Sequence, residues 1–186
     1  MYTKRTFILL LVGALFLLSS VACSVGGLLG GSGDVDLPDR QVEVSDQAAQ
    51  EAKEIIARAK NGGSIRLTES QFTSFLVKEM EKAGEDLPLQ DLTIWFEPGQ
   101  VIVRAQVSGE DLPASGEMIM VGKLSVEDGK LQFSLDHASV NGVGVPKPVL
   151  GVFNTVLNEA LAETDISKSR VKSISLEPTV IVIERE

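Results

Sequence analysis

The groups that most often carry chemistry are scarce in this chain, which has one histidine and one cysteine in 186 residues. Nucleophilic catalysis needs an activated nucleophile, a base and an oxyanion hole. The lone histidine, His137, lies in "LQFSLDHA", whose alternation makes it a strand residue. In a regular strand its neighbour Asp136 points to the other face, so the two form no dyad. No G-x-S-x-G, no HExxH, no cysteine cluster and no EF-hand spacing occurs. "NGVGV" is too short for the dinucleotide G-x-G-x-x-G fingerprint, and a helix-opening proline follows it. Carboxylates are plentiful by composition but sit in no special setting, so glycosidase chemistry has no support. The expectation is a non-catalytic protein with no metal site and no cofactor.

The single cysteine, Cys23, ends a greasy N-terminus. Lys4 and Arg5 precede "FILLLVGALFLL", and small residues follow up to Cys23. A basic start, an apolar run of about 12 residues and a small-residue site make a secretory signal. An uncleaved anchor is the competing reading, because the uncharged stretch from Phe7 to Gly30 is long enough to span a membrane. The glycines at 26, 27, 30 and 31 make that stretch a poor helix end. Ser20-Val21-Ala22-Cys23 resembles the bacterial lipobox, whose cysteine takes a diacylglycerol and becomes the new N-terminus. Val21 and Ala22 fit that pattern, whereas Ser20 stands where an aliphatic residue is usual. The resemblance implies lipidation at Cys23 and a place in the bacterial cell envelope, outside the cytoplasm and tethered to a membrane.

Removing residues 1–22 deletes two lysine or arginine residues and no acid, so the mature chain is more acidic than the −9 of the whole. Such a surface repels phosphate backbones and anionic head groups. Nucleic acid is therefore excluded as a partner, and membrane contact falls to the anchor or to apolar surface. Residues 23–44 contain glycines, a proline and alternating acids, and read as a flexible tether with a span of roughly 25 Å. Residues 45–186 suit one domain.

Two helices open that domain. Asp46 to Asn61 is one, capped by Ser45 and stopped by Gly62-Gly63, with a thin face of Ala48, Ala52, Ile55, Ile56 and Ala59. After a short extended "SIRL", Thr68-Glu69-Ser70-Gln71 matches a capping box. The helix it opens runs to about Ala83, with Phe72, Phe75, Leu76 and Met80 on one stripe. Alternation then predicts strands over 92–96, 101–107, 116–126 and 131–138, joined by Pro98-Gly99 and Asp128-Gly129 turns. A helix with a wide apolar stripe follows, including Leu150, Phe153, Leu157 and Leu161. "VKSISL" and "VIVIE" close the chain as a hairpin. "WFEPGQVIV", "SVEDGKLQF" and "SLEPTVIVI" echo one another, each with an acid before a two-residue turn, and turn chemistry is a simpler account of the echo than a true repeat. The order predicts an α+β fold: a curved antiparallel sheet packed against a long C-terminal helix, with two N-terminal helices.

The stretch from Leu67 to Ile183 resembles small bacterial envelope proteins of the tubular lipid-binding (TULIP-like) type. "LTESQFTSFLVKEM", "VEDGKLQF", "ASVNGVGVPKPVLGVFNTVLNEAL" and "VKSISLEPTVIVI" carry the resemblance. Gly144 departs from it, where a small apolar residue is common, and so does Lys147-Pro148 after Pro146. The resemblance implies a lipid ligand cradled between sheet and helix. Phe153, Leu157 and Leu161 would then contact it, facing Phe72, Phe75 and Leu76 of the second helix and Phe133 of the sheet. Periodicity alone assigns the same residues to an ordinary core, which would make the chain a non-catalytic envelope scaffolding or interaction module. Trp95 alternates off the Leu92/Ile94/Phe96 face, so it is either covered, for example by the first helix, or part of a ligand or membrane surface.

Overall fold

The computed structural model describes residues 35–59, 62–83, 89–107, 116–147, 150–151, 154–155, 158, 166 and 170–186. Helix α1 is Asp46–Arg58, with the Ser45 side chain accepting from the Ala48 amide as an N-cap. It ends earlier than the glycine pair suggests, because Ala59 leaves helical geometry first. Strand β1 is Gly63–Thr68 and helix α2 is Glu69–Ala83. The capping box forms reciprocally: the Gln71 amide donates to the Thr68 hydroxyl and the Thr68 amide to the Gln71 side chain. Ala49, Ala52, Ile56 and Ala59 of α1 are buried. With so little side chain there, α1 approaches α2 closely, and the Asp46–Lys78 pair at 2.8 Å spans the two helices.

Strands β2 (Leu89–Glu97), β3 (Gln100–Val107), β4 (Gly116–Glu127), β5 (Lys130–Val140) and β6 (Val143–Gly144) follow as an antiparallel meander. The tight turns have the backbone their residues favour. Asp128-Gly129 and Asn141-Gly142 both place two successive residues at positive φ, the hairpin geometry that these dipeptides adopt at least cost. Strands β7 (Val171–Glu177) and β8 (Val180–Arg185) close the chain.

Two parts of the expected fold are corrected. The strands form two sheets, a five-stranded one in order β2-β3-β4-β5-β6 and a three-stranded one in order β1-β8-β7. The long C-terminal helix is also not found, since the chain ends in β7 and β8. Helical backbone is described at Lys147, Leu150, Gly151, Asn154, Thr155 and Asn158, upstream of that hairpin. The physical reason lies in "SIRL" and "VIVIE". Both alternate, and "VIVIE" can satisfy its backbone on two edges at once. It therefore pairs with β7 on one side and β1 on the other, Ile65 opposite Ile183 and Leu67 opposite Ile181. All four of those side chains are at most 1 % exposed. The sheets share one core, and the Val171 amide joins them by donating to the Gly129 carbonyl at 2.9 Å.

Beyond β6, the β5 edge at Phe133–Leu135 has no strand partner among the described residues. Two asparagines take its place: Asn158 accepts from the Phe133 amide and donates to the Phe133 carbonyl, and Asn154 accepts from the Leu135 amide. The side-chain amide of Asn158 thus mimics one residue of a neighbouring strand.

Candidate functional site

The apolar candidates come first. Phe72, Phe75 and Phe133 are 7 %, 4 % and 8 % exposed and belong to one core cluster, with Leu76 partly buried against it. Phe72 meets Phe96 edge to face at 5.4 Å, and Phe133 lies over Gly122, where any Cβ would collide with its ring. At this end, own side chains fill the space between helix and sheet. Phe153, Leu157, Leu161 and Cys23 lie outside the described residues.

The inward faces of the strands are less well covered on another side. Leu124, Val126, Leu135, Ile174 and Leu176 pack against the core cluster but are only partly buried. Leu124 pairs with Phe133 and Val126 with Leu131 across β4 and β5, and β7 packs against β4. These aliphatic residues form a strip along the seam between the two sheets.

The opposite face of β2 and β3 holds the polar features. Trp95 is 3 % exposed there. Its cover is residues 37–42 of the stretch expected to be tether, and the Trp95 Nε1–H donates to the Arg40 carbonyl at 3.1 Å. Arg40 pins this strap. Its guanidinium donates to Glu69 through Nε and Nη2, to Glu97 through Nη1 at 2.8 Å, and to the Phe96 carbonyl. The hydrogen bond to Glu69 is the main reason the Arg40 guanidinium holds its proton more tightly than usual. Glu69 is 5 % exposed and is the hub of the arrangement. Its carboxylate also accepts from the Phe96 amide at 2.7 Å, and its own amide donates to the Thr179 carbonyl. One residue thereby joins the strap, α2, β2 and the β7–β8 turn, the first and third through its side chain and the last through its backbone amide.

Between the strap and the sheet lies a concavity of about 640 Å³ lined by residues 37–42, Thr93, Trp95 and Arg104. Thr93 and Arg104 are Cα partners across β2 and β3, so both face it. The Arg104 guanidinium stacks on the Trp95 ring at 5.3 Å.

His137 sits opposite Val121 and Leu135 opposite Gly122, which leaves Asp136 as the extra residue of a bulge. The bulge thus replaces the simple alternation expected at Asp136-His137. Lys123 takes the Asp136 carboxylate at 3.2 Å, while the His137 Nε2 is buried without a hydrogen-bond partner. Among the described residues no three metal-ligating side chains gather, and no helix is long and apolar enough to cross a membrane.

Arg40, Glu69 and Arg104 were not singled out by the sequence. Their signals are present in retrospect. Arg40 is a cation in an otherwise acidic stretch, Glu69 sits inside the capping box, and Arg104 falls in phase with Trp95 once the Pro98-Gly99 turn sets the hairpin register. No protein-family model matches the chain, and no curated protein matches it at a significant level.

Proposed function

We propose that the chain is a non-catalytic lipoprotein of the bacterial envelope, anchored through Cys23, that binds an acyl chain or another long apolar molecule. The supporting observation is the half-covered aliphatic strip of Leu124, Val126, Leu135, Ile174 and Leu176 at the seam of the two sheets. An apolar surface that its own side chains leave partly bare can take a hydrocarbon without displacing the core. Burying about five methylenes there contributes about 4 kcal/mol. The resemblance to tubular lipid-binding proteins points the same way, although the ligand now lies on the strands and away from Phe72 and Phe75.

The second reading, an interaction module with a filled core, draws on the tight burial of Phe72, Phe75 and Phe133. Native mass spectrometry of the chain from residue 24 onward, purified from cells, separates the two. The lipid reading expects co-purifying lipid and uptake of a fluorescent fatty acid that a Leu135→Glu substitution weakens. A clean apo mass with no uptake leaves the filled-core module standing. For the anchor, Cys23→Ser is expected to abolish acyl labelling and to accumulate precursor. Unchanged processing would overturn the lipidation.

A further inference from the structure

We infer that the concavity over Trp95 is a binding site for a small organic oxyanion, a molecule carrying a carboxylate or phosphate, with Arg104 as its anchor. This site is separate from the apolar strip proposed above and rests on different observations.

Arg104 is the first. It is half-buried on β3, and among the described residues its guanidinium makes no hydrogen bond or ion pair. Arg40 shows the contrast: it lines the same concavity, and two carboxylates and a carbonyl engage it. Arg104 is nevertheless not loose. A cation–π contact with the buried Trp95 ring at 5.3 Å restrains it while leaving the N–H fork available. A planar fork held in place is suited to carboxylate and phosphate oxygens, because little ordering entropy remains to be lost on binding.

The space is the second observation. About 640 Å³ falls within the range of roughly 300–1,000 Å³ typical of small-molecule sites and far exceeds the room a bare ion needs. The Thr93 hydroxyl side chain stands directly opposite Arg104 across the strands and can supply a second donor. Leu37, Pro38 and Val42 also line the concavity, whose accessible wall is mostly polar, in keeping with a small polar ligand.

Three acids on or bonded to the lining oppose an anion, Glu69, Glu97 and Asp39, and all are weak opponents; Glu69 is neutralised by its bidentate contact with Arg40. Glu97 is bound to Arg40 and sits four residues along β2 from Thr93, roughly 13 Å away, beyond a Debye length of about 8 Å. Asp39 lies on the lining but is exposed, so water and salt screen it. Its sign makes it a useful control.

Trp95 is the only tryptophan, so the emission of the protein reports on the site directly. The test uses the full chain in nonionic detergent micelles, titrated at constant ionic strength with inorganic phosphate and with glycerol 3-phosphate. A second arm compares micelles doped with phosphatidic acid against micelles doped with phosphatidylcholine. The expected result is a saturable change in Trp95 emission, weakened about tenfold or more by Arg104→Gln and strengthened about twofold by Asp39→Asn. A response to glycerol 3-phosphate assigns a free metabolite-like anion, and one confined to phosphatidic acid assigns a lipid head group. Arg104→Lys keeps the charge and loses the fork, and is expected to fall between wild type and Arg104→Gln. Asp39→Asn alters an exposed side chain, so its direction holds as a test even where Arg104→Gln melts early. No saturable change in either arm, or equal affinity in wild type and Arg104→Gln, would overturn the site. Because the free probes carry no acyl chain, their failure leaves the apolar strip unaffected.

Discussion

Thr179 holds a backbone conformation that its side chain disfavours. Its φ is 70°, in the left-handed region where a β-branched residue is a real outlier. The conformation persists because both of its backbone groups are engaged. Its amide donates to the Phe96 carbonyl at 3.3 Å, and its carbonyl accepts from the Glu69 amide at 3.0 Å. The corresponding position in the Pro98 turn is Gly99, with φ of 78°. Strain of about 1–3 kcal/mol at Thr179 outweighs the extra unfolded-state freedom of glycine, about 0.4–1 kcal/mol. Thr179→Gly is therefore expected to stabilise the fold by about 1 kcal/mol, read as a higher urea midpoint at unchanged slope. The reverse change, Gly99→Thr, is expected to destabilise it by about 1–2 kcal/mol. The sequence echo "EPGQ" and "EPTV" made the two turns legible, and both place the residue after proline at positive φ. What could not be read was the demand that the Glu69 hub makes on Thr179, since that contact joins residues 110 positions apart by way of the fold.

At the scale of elements, alternation and capping made nearly every described strand and both described helices readable, because those signals are local. The pairing of β1 with β8 was not readable. Register between distant strands depends on which edges remain free after the local hairpins form, and "SIRL" was too short to claim one. The same applies to the asparagines that complete β5. In a helical pattern Asn154 and Asn158 read as solvent-facing positions, whereas they meet the Phe133–Leu135 backbone. Asn158 makes three hydrogen bonds, two to Phe133 and one to the Asn154 carbonyl. Asn158→Leu leaves that strand edge unpaired. It is expected to cost about 2–3 kcal/mol and to make the protein associate, since a bare edge is a template for another strand. Asn154→Leu removes one strand bond and is expected to cost about 1 kcal/mol. Denaturation together with light scattering at two protein concentrations distinguishes edge loss, which depends on concentration, from simple destabilisation.

Across the whole molecule, residues 35–45 connect the proposed membrane anchor to the domain, and Arg40 decides how firmly. Composition made this stretch look like the continuation of a glycine-rich tether, because three acids and a proline fall in it and a single cation carries little weight in an average. Trp95 was expected to be covered by α1 or to contribute to a ligand or membrane surface; the strap is its cover. Removing Arg40 leaves the Glu69 carboxylate buried with the Phe96 amide as its remaining partner among the bonds that hold the strap. Breaking a buried pair costs about 3–5 kcal/mol, and the 31 % exposure of the Arg40 side chain reduces this to about 2–3 kcal/mol. Arg40→Met is thus expected to lower the unfolding free energy by that amount and to shift Trp95 emission to longer wavelength as the strap lifts. Arg40→Met with Glu69→Leu removes both charges but orphans the buried Phe96 amide, so it is expected to recover at most about 1 kcal/mol over Arg40→Met alone. The emission shift should persist in that double variant, since the apolar pair restores stability without restoring the contacts that hold the strap. If stability and emission instead recover together, packing of the segment rather than the Arg40 ion pairs fastens it to the sheet.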